Sequence, residues 1–76
     1  MSKMSELALY IDEAQGQTFS YEFLLQDLGM WLDVSMAQAE GMVEFLVNGG
    51  HICEVKEGFR VNLHLGGYDL QESQKD

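Results

Sequence analysis

His51, Cys53 and His64 are the histidines and the cysteine of this sequence, residue types suited to metal ligation or Cys–His nucleophilic chemistry. His51 and Cys53 stand two apart, so an extended backbone puts both on one face, with His64 one strand further on. Zinc accepts imidazole and thiolate, but a structural site takes four ligands. The chain has no other His or Cys, and a carboxylate such as Glu54 would have to complete the set. A Cys–His nucleophile needs the same residues plus an oxyanion site and a pocket, and a domain this small has little room for one. The glycines form neither of the phosphate-binding patterns, and the acids lack the spaced loop that calcium requires. The expectation is a non-enzyme with no metal and no cofactor, a buried Cys53 and histidines facing solvent.

Charge is the stronger signal. The chain has 76 residues, 13 acidic and 4 basic, for a formal net charge of −9. Residues 4–55 contain no Lys or Arg, while Glu6, Asp12, Glu13, Glu22, Asp27, Asp33, Glu40, Glu44 and Glu54 fall within them. The rest balances, with Lys56 and Arg60 as the clustered basic pair. A duplex-binding surface ordinarily needs a basic face. Hydrophobic residues make up 46% of the chain, too many for a disordered acidic tail. No apolar run reaches the roughly 20 residues of a membrane span, and the N-terminus lacks a secretory signal pattern. A lone cysteine excludes an internal disulfide. These features predict a soluble, cytoplasmic domain with no membrane contact.

The elements that would position these residues follow from periodicity and caps. Leu7, Tyr10, Ile11 and Ala14 predict a helix over residues 5–14, with Ser5 as its cap and Gly16 as its stop. Ser20 caps a second helix whose apolar stripe is Tyr21, Leu24, Leu25, Leu28 and either Trp31 or Leu32. Trp31 is assigned to the core and Met30 to the surface. Residues 32–34 form a tight turn. Ser35 and Gln38 then form a capping box for a third helix with Ala39, Met42, Val43 and Leu46 inward, ended by Asn48, Gly49 and Gly50. Strands are expected over 51–55 and 59–65, joined by a loop at 56–58. Phe59, Val61, Leu63 and Leu65 alternate onto one face of the second. Residues 1–65 make one domain, and 66–76 a polar, frayed tail in which Tyr68 and Leu70 could dock.

Three helices followed by a hairpin describe a mainly α fold with a small β-hairpin. The stretch Leu28-Gly29-Met30-Trp31-Leu32-Asp33-Val34-Ser35, then Ala39, Met42-Val43, Leu46 and Gly50-His51-Ile52, resembles the helix-turn-helix core of the winged-helix superfamily. The resemblance covers roughly residues 5–65. It implies a three-helix core followed by a two-stranded wing. In DNA-reading members it also implies a third helix in the major groove and a hairpin on the backbone.

Carried over to this chain, the outer positions of the third helix are Met36, Ala37, Gln38, Glu40, Gly41, Glu44 and Phe45. Two glutamates there would repel phosphate, and Gln38 alone offers an adenine-reading group. The reading that follows is a small acidic regulator, adaptor or inhibitor acting through protein–protein interaction. Its expected contact residues are Gln38, Glu40, Gly41, Glu44 and Phe45, and its partner carries a basic surface. The alternatives are a dimeric DNA-binding transcriptional regulator touching the backbone through Lys56 and Arg60, and a phage or mobile-element inhibitor whose acidity blocks a nucleic-acid-binding protein. A homodimer through the first helix, Tyr68 and Leu70 is compatible with each.

Overall fold

Two serines set where the second and third helices begin. The structure, a computed structural model, describes residues 3–67. Ser20 adopts an extended conformation and its Oγ accepts from the Phe23 N–H, starting α2 (Tyr21–Leu32). Ser35 does the same for Gln38, and Gln38 Oε1 accepts in return from the Ser35 N–H at 3.0 Å, the capping box of α3 (Met36–Asn48). Asp33, in the left-handed region at φ 57°, closes α2 by donating its N–H to Gly29 O. At the end of α3 the His51 N–H reaches Leu46 O and the Gly50 N–H reaches Val47 O, with Gly50 at φ +83°. That paired pattern satisfies carbonyls that would otherwise end the helix unbonded.

The first helix, α1 (Lys3–Glu13), starts two residues before the expected position, so Ser5 lies inside it rather than capping it. The Lys3 ammonium donates to Leu32 O at the C-terminal end of α2 and stands 4.0 Å from Glu6. A cation there complements the negative end of the α2 dipole.

Three strands follow the order β1–β3–β2: β1 (Thr18–Phe19), β2 (Ile52–Val55) and β3 (Gly58–Val61). The β2–β3 hairpin is antiparallel, with Ile52 opposite Val61 and Val55 opposite Gly58, so the turn is Lys56-Glu57 alone. β1, between α1 and α2, pairs antiparallel with β3 through Thr18–Arg60 and Phe19–Phe59, and was not expected. Hydrogen bonds from the Gly16 N–H to Val61 O and from the Val61 N–H to Gln17 O extend that seam. β3 is thus the central strand and ends at Val61. Leu63 and Leu65 lie beyond it, exposed at 79% and 97%, and do not share the buried face with Val61.

The core lies between the helices and one face of the sheet. Leu7, Tyr10, Ile11 and Ala14 come from α1 and the residue following it, Leu24, Leu25, Leu28 and Leu32 from α2, Ala39, Val43 and Leu46 from α3, and Ile52 and Val61 from the hairpin. No polar or charged residue is buried among the described residues, and no buried side-chain polar atom lacks a partner. The arrangement is α+β and winged-helix-like. Trp31 is an exception to the expected core, at 51% exposed, while Met30 is exposed as expected. Residues 68–76, including Tyr68 and Leu70, lie outside the described residues.

Candidate functional site

Helical geometry divides the expected α3 contact residues into two groups. Glu40, Gly41 and Glu44 line an open groove of about 650 Å3, together with Val43 and Val47 of the same helix. Tyr21 at the start of α2 and Phe59 on β3 form its other wall, their ring centroids 5.4 Å apart and tilted. Gly41 would place a Cβ in open space, clear of neighbouring elements, so the backbone is bare at that one position beside the two carboxylates. Gln38 and Phe45 are exposed but do not line this groove. Seven residues apart, they share the opposite flank, where Phe45 is about 140° around the helix from Glu40. The Gln38 carboxamide oxygen is also engaged with the Ser35 N–H. A bidentate contact to adenine would have to share that oxygen with the capping box.

The groove is electronegative. Among the described residues no lysine or arginine stands within ion-pair distance of Glu40 or Glu44. The basic pair lies elsewhere: Lys56 is exposed in the hairpin turn, and Arg60 sits mid-strand opposite Cys53 and Thr18. Arg60 Nη2 donates to Cys53 Sγ at 3.6 Å, and the Cys53 thiol donates to Asn62 Oδ1 at 3.2 Å.

Cys53 is therefore half-buried and hydrogen-bonded, rather than fully buried. Among the described residues no group of three or more His, Cys, Asp or Glu is placed to hold a metal ion. His51 is also half-buried, against the expectation of a solvent-facing ring, and a Cβ on Gly49 would come within 3.1 Å of that ring. Burial, and secondarily the charge of His64, hold the His51 imidazole below its ordinary pKa. His64 is exposed, and its backbone N–H donates to Gln15 Oε1 at 2.8 Å.

A second groove, of about 260 Å3, runs between α1 and α2 and did not emerge from the sequence. Tyr10, Phe19, Phe23 and Trp31 supply its rings, and Glu13 and Asp27 its carboxylates. Tyr10 and Trp31 meet edge to face and Phe19 and Phe23 stack, each pair at 5.4 Å between centroids. The Tyr10 hydroxyl donates to Asp27 Oδ2 at 2.7 Å. Burial, then the bond to Asp27, push the Tyr10 phenol well above its ordinary pKa, so it stays a donor. The available signal was Phe23, Asp27 and Trp31 at i, i+4 and i+8, a flank beside the leucine stripe of α2.

These features define an α+β, winged-helix-like domain with an acidic, groove-bearing surface. Compared with family models, curated proteins and solved structures, the chain shows no match. No helix among the described residues is long and apolar enough to cross a membrane.

Proposed function

We propose that this chain is a non-enzymatic protein-interaction factor of winged-helix type, a regulator, adaptor or inhibitor that binds a basic protein surface in the cytoplasm. The observation that carries this reading is the α3 groove: Glu40 and Glu44 stand together in it with Gly41, Val43 and Val47, beside two aromatic rings. Carboxylates of this kind steer a cationic partner and fix its register, while the apolar floor and rings provide the area that holds it. Phe45, on the opposite flank of α3, offers a separate exposed apolar contact. The test is Glu40→Lys with Glu44→Lys in the native host, followed by crosslinking and quantitative recovery of partners. Loss of a basic partner supports the reading, and an unchanged partner set removes it.

A dimeric DNA-binding regulator is the second reading. The winged-helix-like order of elements and the exposure of Lys56 and Arg60 favour it. Glu40 and Glu44 on the helix that would enter the groove oppose it, because they would face phosphates. A gel shift with random duplex at low salt separates the two. Binding that weakens on Lys56→Glu with Arg60→Glu would establish the DNA reading. For an inhibitor that imitates nucleic-acid charge, the partner's own nucleic acid would compete for the same surface.

A further inference from the structure

We propose that the groove between α1 and α2 receives an arginine side chain from a basic partner protein. The proposal rests on the protein-partner reading above and assigns it a second contact, distinct from the α3 face. Phe23 and Trp31 are 49% and 51% exposed, on the flank of α2 that turns away from its buried leucines. Both line the same groove, so they form one apolar patch rather than scattered single side chains. Phe19 stacks on Phe23, and Tyr10 and Trp31 meet edge to face, so the rings are held as walls before anything binds.

The carboxylates decide the occupant. Asp27 is half-buried, and its described partner is the Tyr10 hydroxyl on Oδ2. No lysine or arginine among the described residues stands within ion-pair distance of Asp27 or Glu13. A half-buried carboxylate gains when a cation completes its pairing. Aromatic faces attract cations, and indole does so best. A guanidinium matches both walls: its plane stacks on rings while its fork of N–H groups addresses a carboxylate. An ammonium has charge without the plane. The volume, about 260 Å3, lies below the roughly 300–1,000 Å3 of small-molecule sites and suits one extended side chain.

Trp31 is the chain's one tryptophan, so its fluorescence reports on this groove. The probes are synthetic hexa-arginine and hexa-lysine peptides at physiological salt, followed by Trp31 emission and by backbone amide NMR shifts. Hexa-arginine is expected to perturb Trp31 and to shift Tyr10, Phe23, Asp27 and Trp31. Hexa-lysine is expected to bind about threefold more weakly or worse. Asp27→Asn and Phe23→Ala should each weaken hexa-arginine by about fivefold, while Glu22→Gln, an exposed acid outside the groove, should change it less than about twofold. Phe23→Ala removes a half-exposed ring, and circular dichroism checks that it folds. It carries the test should Asp27→Asn unfold the protein.

Shifts confined to Glu40, Gly41 and Glu44 would overturn the groove assignment and leave the α3 reading standing. Equal losses in Asp27→Asn and Glu22→Gln would overturn it by showing bulk charge attraction. Shifts at the groove that grow with protein concentration and no peptide would give the site to a second copy of the chain and overturn it. Failure of both peptides to bind would overturn it and count against a basic partner altogether.

Discussion

Tyr10 of α1 donates its hydroxyl to Asp27 Oδ2 of α2 at 2.7 Å, a side-chain bond that crosses between two helices 17 positions apart in sequence. The Tyr10 ring is buried and Asp27 is half-buried, so the bond is shielded from water and charge-assisted. Tyr10→Phe keeps the ring and its edge contact with Trp31 but removes the donor. It is expected to destabilise the protein by about 1–3 kcal/mol at neutral pH, measured by urea unfolding. The phenol of folded Tyr10 sits above its ordinary value near 10. Its contribution is complete below that value, because both states then hold the proton. It is lost as pH rises beyond about 10, where the unfolded phenol ionises first. The gap between wild type and Tyr10→Phe should therefore narrow above pH 10, and a constant gap would contradict the assigned bond.

The helices were legible because their signals are local. Ser20, Ser35 with Gln38, and Gly50 each specify a cap through neighbours at most five residues away, and the leucine spacing of α2 names its buried face. β1 has two residues and no periodicity, and its existence depends on β3, about 40 residues later. Its place at the end of the stripe argues for an inward Trp31, yet Leu32 fills the core there and Trp31 meets Tyr10 edge to face. Leu63 and Leu65 continue the alternation of β3 in sequence only. Backbone pairing ends with the Asn62 N–H on His51 O, and alternation without a ladder does not hold side chains to a face. Of the α3 site, Glu40, Gly41 and Glu44 fall together as the helical period requires. The α1–α2 groove draws on three elements, and no single stretch of sequence displays it.

His51 gives a dependence on the acid side. Burial, then the charge of His64, lower its pKa in the folded protein. Above about pH 6.5 both states are neutral there and the contribution of the uncharged ring is complete. As pH falls through 6.5 the unfolded chain takes the proton first, so stability declines until the folded ring also protonates. His51→Gln should flatten the fall in stability between about pH 7 and 5. His64→Gln should raise the His51 titration midpoint, read from its ring proton shifts, and an unmoved midpoint would dismiss the coupling.

Ser35 supports α3 and thereby the spacing of Glu40 and Glu44. Ser35→Ala removes the acceptor for the Gln38 N–H and is expected to cost about 1 kcal/mol, while Ser35→Gly should cost only a few tenths. For a domain of this size 1 kcal/mol corresponds to roughly 4–8 °C in Tm. An unchanged stability in Ser35→Ala would mean that the serine hydroxyl does not act as the cap.

The sheet makes the most sensitive glycine prediction. Gly58 sits at φ +145°, and a Cβ there would stand 2.2 Å from Phe19 O and 3.2 Å from Ser20 Cα. Both obstacles are backbone, so no rotamer change relieves them. The strain of that φ adds about 1–3 kcal/mol for a residue other than glycine. Gly58→Ala should therefore cost more than about 2 kcal/mol and loosen β1 from β3, exposing the Gly16 and Val61 amides of that seam to hydrogen exchange. Gly50 provides the comparison, with φ +83° and nothing within 4 Å of a Cβ. Gly50→Ala carries only the left-handed penalty, about 1–2 kcal/mol, and should leave exchange at the Gly16 and Val61 amides unchanged. Because Phe19 also stacks on Phe23, Gly58→Ala should disturb Trp31 emission across the α1–α2 groove as well, whereas Gly50→Ala should not.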